Sequence, residues 1–371
     1  MIFLVVISFL YFVFLISSLI GFVFYNKKSK NELLNLNTEN LISIVIPFRN
    51  ESTRIVNLLS SLDNQKNINI IKEIIFVDDH SEDHSYELIQ SWIQKSNFEC
   101  QLISLSEHIG KKHAISFGVK KATGTYIFDM DADVSFGSSF FDEIAKLNAF
   151  EKDCNILPVI ENTGLIWSQI ESSIISLLTI GMANLKIPIL ANGAGLIFKR
   201  EVFLDLNPFN DNYNISSGDD LYIIKAFKES KKSFGTIYSN SIYINTVGPS
   251  NYNDFISRSL RWSSKMKNIN FLFTKFLGLI VLLVNLLFIP SVVFLLISFS
   301  KPILLFLIIK VFSDLILSIF AFIYYQNSKS FYYILPMFLF YPLHITIVVI
   351  LLSINFPNKW KGRNVIHPEI Q

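Results

Sequence analysis

Tyr126-Ile-Phe-Asp-Met-Asp-Ala-Asp133 is the stretch whose reading decides the fold. An apolar run that follows the turn at Gly124 and ends in carboxylates reads as a buried strand opening into a polar edge. Asp131 and Asp133 stand one residue apart at that edge. Their oxygens suit hard cations such as Mg2+ or Mn2+, ions that commonly clamp phosphates. An acidic pair alone is common in solvated turns, but four further segments keep it company. They are Ser43-Ile-Val-Ile-Pro-Phe-Arg-Asn-Glu51, Phe76-Val-Asp-Asp-His-Ser-Glu-Asp83, Gly218-Asp-Asp220 and Arg258-Ser-Leu-Arg-Trp262. Together they fit a metal–diphosphate site on an α/β scaffold.

Working outward, short apolar runs at 43–48, 73–77, 101–105, 125–131, 154–160, 195–199 and 241–247 predict strands. Amphipathic patterns at 52–65, 83–95, 112–122, 139–150, 165–180 and 220–229 predict the helices between them. The first four strands are apolar without clean alternation, as in a parallel sheet covered on both faces. Ligands of such sheets sit beyond the carboxyl ends of the strands. Asn50-Glu51, Asp78-Asp79 and Asp131-Asp133 all fall at those ends.

The 371 residues are 51% hydrophobic and 17% charged, and the apolar excess is segregated. Residues 2–25 carry no charge and suffice to span a bilayer of ~30 Å at about 1.5 Å per residue. Without a basic leader or a small-residue cleavage site, they read as a retained anchor. Further apolar runs cover 276–300, 302–325 and 331–356, separated by Lys301-Pro302 and Gln326-Asn-Ser-Lys329. Lys27, Lys28 and Lys30 place the following segment in the cytoplasm. Cys100 and Cys154 give no disulfide framework, which agrees with a reducing compartment. No basic stripe with interleaved aromatics marks a nucleic-acid partner.

The expected division is a transmembrane anchor at 1–26 and a cytosolic domain at 27–250. An amphipathic interfacial segment at 251–270, transmembrane helices at 271–356 and a tail at 357–371 complete it. Lys359, Lys361 and Arg363 favour a cytosolic tail, so either 331–356, with Pro336, Pro342 and His344, or 302–325 is expected not to cross. Lys310 and Asp314 are four apart in an apolar run. They read as a structural ion pair, with contact to a lipid phosphate as the alternative.

The motifs resemble, over roughly 41–265, the family 2 glycosyltransferases of GT-A fold, which include cellulose and chitin synthases and many bacterial lipid glycosyltransferases. The resemblance implies a Rossmann-like, mixed and mostly parallel sheet flanked by transmembrane helices at the cell (inner) membrane. It further implies inverting sugar transfer from a nucleotide-diphosphate sugar to a lipid or glycan acceptor, with Mg2+ or Mn2+ as cofactor. By the same resemblance Pro47, Asn50, Glu51, Asp79, Lys111, Lys112 and Asp131 hold the nucleotide sugar, and Asp131 and Asp133 hold the metal. Asp220, with Asp219 beside it, supplies the base. Gly193, Gly195, Arg258, Arg261 and Trp262 serve the acceptor and diphosphate.

Asp219 stands where the family usually has Glu, and Arg258 where processive synthases mostly keep Gln. A processive polysaccharide synthase and a non-catalytic membrane scaffold are the competing readings. Plainer roles stand beside several residues. Asn50 and Glu51 suit helix capping as well as a ligand, and Ser81 and Asp83 suit capping better than Asp79 does. Lys111 and Lys112 also read as a solvated first turn, and Asp219 and Asp220 as helix-start carboxylates. Trp262 also reads as an interfacial anchor, and His80 and His84 as solvent-facing residues.

Overall fold

In the computed structural model, β1 (Ile42–Phe48) is buried along its whole length, so it needs cover on both faces and a partner on each edge. The structure describes residues 1–28, 41–66, 68–107, 109–147, 149–213, 215, 218–267, 272–325, 332–354, 356, 359–360 and 363–364. Lys30, the separator at 326–329, Lys361 and the end of the tail lie outside them.

Among the described residues the chain divides into two compact units. One comprises Val23–Ile160 and Met182–Val247. It holds a seven-stranded sheet of β1, β2 (Ile71–Asp78), β3 (Cys100–Ser104), β4 (Tyr126–Asp129), β6 (Cys154–Ile156), β8 (Leu196–Lys199) and β9 (Phe234–Thr236). Their order is β3-β2-β1-β4-β8-β6-β9. β1 runs parallel to β2 and β4, and β2 parallel to β3. β8 is antiparallel to β4 and β6. This is the mixed, mostly parallel sheet the sequence leads one to expect. Two short strands, β5 (Val134–Ser135) and β10 (Ile244–Thr246), form a smaller sheet with β7 (Val159–Glu161). The predicted strand 154–160 is broken in two around Pro158, because proline lacks the N–H a ladder needs.

Glu73 fastens the start of this sheet. Its buried carboxylate accepts from Ser43 Oγ, Thr123 N and Oγ1, and Gln101 Nε2 at 2.6–2.9 Å. Gly124, whose N–H bonds Ser43 Oγ, leaves no room for a side chain, since a Cβ there would sit 2.6 Å from Ser43 N. That close approach lets β4 enter beside β1 in register, with Val45 opposite Asp129. α2 (Ile55–Asp63), α3 (Ser85–Ile93), α4 (Lys111–Lys121) and α5 (Phe140–Lys146) follow the first four strands. Order β2-β1-β4 makes the gap between β1 and β4 a topological switch point, the place where such sheets open a crevice.

The other unit comprises Met1–Phe22, Glu161–Gly181 and Gly248–Gln371. It is built on α1 (Ile2–Lys28), α6 (Ile166–Asn184), α9 (Tyr252–Lys267), α10 (Leu272–Ile297), α11 (Lys301–Tyr325) and α12 (Ile334–Ser353). α7 (Arg200–Leu206) and α8 (Asp219–Glu229) belong to the sheet unit. Five described helices are long and apolar enough to cross a membrane: α1 over Ile2–Phe24, α6, α10, α11 and α12. α6 is the addition to the sequence reading, which took 165–180 as an amphipathic helix of the cytosolic part. Its polar residues look inward within this unit. Ser168 and Glu171 reach Arg258, and Tyr325 bonds Ser176 at 2.9 Å. Gly181 rests against the Ser18 backbone so closely that a Cβ would overlap it.

α1 and α11 run parallel, as the pairs Met1–Ser300, Tyr11–Asp314 and Phe22–Tyr324 show. At mid-length Lys310 Nζ donates to Asp314 Oδ2 at 2.6 Å and lies 4.6 Å from the Phe288 ring centroid. Tyr11 Oη donates to Asp314 Oδ1 at 2.7 Å. Lys310 is fully buried, so the pair ties α1, α10 and α11 together. Removing one partner strands a buried charge, whereas removing both leaves apolar packing. Lys310→Met and Asp314→Leu are each expected to cost about 3–5 kcal/mol. The double variant is expected to recover most of that loss, read as thermal unfolding in detergent. Additive losses in the double variant would contradict the pairing.

Candidate active site

β1 and β2 end in loops that brace each other. Asn50 and His80 both take positive φ, 51° and 59°, a conformation uncommon outside glycine that the surroundings must hold in place. Asn50 Oδ1 accepts from Glu82 N at 2.8 Å, and Asn50 N donates to Ser81 Oγ at 3.1 Å. Glu51 N donates to Ser85 Oγ, and Ser52 N to Asp83 Oδ2. Burial pushes the Asp83 carboxyl up, but hydrogen bonds from Ser85 and Ser52 prevail and hold it down at about 2. Asn50, Ser81 and Asp83 therefore brace the two loops against each other. Asp79 is buried, and its Oδ1 accepts from Gly110 N at 2.8 Å, tying the end of β2 to the start of α4. Pro47 lies beyond Val45, the last β1 residue paired with β4, where a missing N–H costs that ladder nothing.

Past Asp129, β4 leaves the sheet, and each carboxylate of the Asp-x-Asp motif meets a cation. Lys111 Nζ bonds Asp131 Oδ1 at 2.7 Å and Asp219 Oδ2 at 2.7 Å. Arg54 reaches Asp133 Oδ2 at 3.3 Å and Glu51 Oε2 at 2.8 Å. Arg54, three residues after Glu51, was passed over in the sequence; its spacing from Glu51 on a helix start was the signal. Asp219 sits at the first turn of α8, behind Gly218 at φ 85°. Gly193 completes the cradle. A Cβ there would lie 2.8 Å from Asp219 Oδ2 and 3.0 Å from Lys111 Nζ.

Beneath these groups Asp129 is wholly buried, and among the described residues neither of its oxygens has a hydrogen-bond partner. Burial drives its carboxyl well above the usual range. Lys111 pulls the other way, and Asp219, Asp131 and Asp220 push it further up. Burial lowers the affinity of Lys111 for its proton, but Asp131, Asp219 and Asp129 outweigh that and hold it protonated. Asp220 is buried beside Asp219, with Oδ1 accepting from Leu221 N at 2.9 Å. Thus Asp129, Asp131, Asp219, Asp220 and Lys111 form one electrostatic group.

Not every predicted residue joins it. Lys112 turns inward: its buried ammonium bonds Asn212 O and Oδ1 at 2.8 Å and lies 4.1 Å from the Tyr222 ring centroid. Such a lysine holds the α7–α8 connection and is not placed to reach a diphosphate. Gly195 packs against Val159 and Leu157 instead of facing the cradle. In the helical unit Arg258 is buried, bonded to Glu161, Glu171 and Ser168, and stacked 4.3 Å from the Trp262 ring. Its charge is consumed there, which makes it a brace for α9. Arg261 and Trp262, half-buried on the same helix, keep their places beside it.

Asp131 and Asp133 retain 33% and 20% side-chain exposure and offer hard oxygens that already attract cations. They fit a divalent ion. Among the described residues no three His, Cys, Asp or Glu side chains converge to enclose one, so other ligands would have to complete its shell.

Residues 43–203 match the profile of Glycosyl transferase family 2. These residues form a family 2 glycosyltransferase domain. The chain is 28% identical over 113 residues to a dolichyl-phosphate beta-glucosyltransferase of Dictyostelium discoideum, covering 29% of this chain and 33% of that protein. It is 31% identical over 118 residues to a poly-beta-1,6-N-acetyl-D-glucosamine synthase of Staphylococcus epidermidis, covering 31% and 28%. A mannosyltransferase from Pyrobaculum calidifontis, solved with GDP-Man and Mn2+, superposes with a TM-score of 0.48 at 13% identity, over 88% of this chain and 99% of that one. The match thus spans about a third or less of the curated relatives' length. Within the family 2 domain lie the strand-end loops and Lys111, Asp131, Asp133 and Gly193; Asp219 and Asp220 follow it.

Proposed function

We propose that the chain is an inverting, metal-dependent glycosyltransferase. In this reading it moves a sugar from a nucleotide-diphosphate sugar to a lipid or membrane-proximal acceptor, from the cytosolic face of the cell membrane. The observation that carries it is the joining of Asp131 and Asp219 through Lys111, over the buried Asp129, at the carboxyl edge of the sheet. Carboxylates gathered with a lysine in a strand-end crevice, with proton affinities strongly shifted by burial and by one another, are the arrangement found at functional sites.

Asp131 and Asp133 would hold Mg2+ or Mn2+, which when bound neutralises charge on the diphosphate as the sugar leaves. Asp79 and Glu51, buried at the ends of β2 and β1, line the nucleotide end. Asp219 shares the Lys111 ammonium with Asp131, and Asp220, buried beside it at the start of α8, takes the proton from the acceptor hydroxyl. Gly193 keeps the cradle open to the acceptor. The five apolar helices and the dolichyl-phosphate relative favour an acceptor carried in the membrane. The poly-N-acetylglucosamine relative supports the polysaccharide-synthase alternative; Arg258, locked between two glutamates in place of a glutamine, speaks for single transfer.

Detergent-solubilised protein incubated with a panel of nucleotide sugars and lipid extract is expected to yield a lipid heavier by one sugar in mass spectrometry. A ladder of many added sugars would favour the synthase, and no product from any donor would count against transferase activity.

A further inference from the structure

We infer that Lys111 is the resident cation of the aspartate cradle, and that a divalent ion and the Lys111 ammonium compete for Asp131. The inference rests on the metal reading above and adds an intramolecular competitor to it. Lys111 Nζ stands 2.7 Å from one oxygen of Asp131 on the β4 edge and 2.7 Å from one of Asp219 at the start of α8. It thereby joins the metal-side and base-side elements. Two further features of its surroundings support this. Asp129 lies wholly buried beneath it, and among the described residues its two oxygens have no hydrogen-bond partner. Gly193 leaves the cradle free of any side chain that would crowd the ammonium.

Lys111 starts α4, directly after Gly110 at φ 118°, and Gly110 N is held by Asp79. The ammonium is therefore delivered from a braced backbone, on a side chain long enough to swing. A cation that takes Asp131 Oδ1 must displace Lys111 from it, which leaves the ammonium with Asp219 or with an incoming phosphate. Lys111 is in this sense a positioning residue. It keeps the aspartates neutralised and the cradle closed until cation and donor arrive together, so the cation alone binds weakly.

The test is Mn2+ binding to the full-length protein in detergent without nucleotide, read from the electron paramagnetic resonance signal of free Mn2+. Removal of a unit charge at contact distance is expected to tighten binding at least about tenfold in Lys111→Met. Lys111→Gln, a second variant in case the first folds poorly, is expected to do the same, and Lys111→Arg to stay within about threefold of wild type. The gain should persist in 1 M NaCl, where screening acts over about 3 Å and a distant field effect would vanish. Unchanged or weaker binding in both neutral variants, or a gain lost in high salt, overturns the competition. If transfer still requires Mn2+ in that event, the competition alone falls. If wild type transfers sugar in excess EDTA and no form binds Mn2+, the metal reading falls with it.

Discussion

Asp220→Asn is expected to bind nucleotide sugar almost as wild type does while transferring it ~10² to 10⁴ times more slowly, the usual contribution of a general base. The amide keeps the shape of the side chain and its hydrogen bond from Leu221 N, so α8 should start as before. What it loses is the ability to accept the acceptor's proton. Asp219→Asn should behave differently. It frees Lys111 from one of its two carboxylates and so disturbs donor binding together with turnover. Donor affinity from equilibrium titration and transfer rate from product formation separate the two. If Asp219→Asn slows transfer more than Asp220→Asn at unchanged donor affinity, the base is Asp219. If Asp220→Asn loses donor affinity in proportion to rate, Asp220 is a binding residue.

Asp133→Ala is expected to abolish both transfer and donor hydrolysis, and excess EDTA should do the same to wild type. Asp133 is a partly exposed carboxylate tied to Arg54 at 3.3 Å. Its loss removes one of two hard oxygen ligands and leaves Arg54 without one of its partners. Arg54 also holds Glu51, so a stability check belongs with the assay. Asp133→Asn, which keeps an oxygen but not the charge, should retain the fold and still fail to turn over at low Mn2+. Full activity of wild type in excess EDTA would remove the metal from the account altogether.

How far the sequence could be read depended on whether the deciding contacts were local. β1, β2, β3 and β4 were legible because each is a short apolar run closed by polar residues, and their parallel pairing follows from the helices between them. The strand-end carboxylates were legible for the same reason. Lys111 and Lys112 are identical neighbours, and only the turn of α4 decides that one meets Asp131 and the other faces Tyr222. Arg258 finds Glu161 and Glu171, which lie 97 and 87 positions away in the chain, so no window around it reveals that it is spoken for. α6 misled for a related reason. Serines and a glutamate at helical spacing read as a solvent face, yet in the fold they look into their own unit. β9 is a three-residue strand, too short for its apolar pattern to register.

The claim on which everything else stands is that the aspartate cradle handles a nucleotide-diphosphate sugar. The most direct measurement is release of nucleoside diphosphate by the purified full-length chain in the presence of Mn2+, donor by donor. Wild type is expected to release it from at least one nucleotide sugar, faster when lipid extract is present, and Asp133→Ala to release none. No release from any donor by folded wild-type protein, or equal release by the variant, would contradict the account.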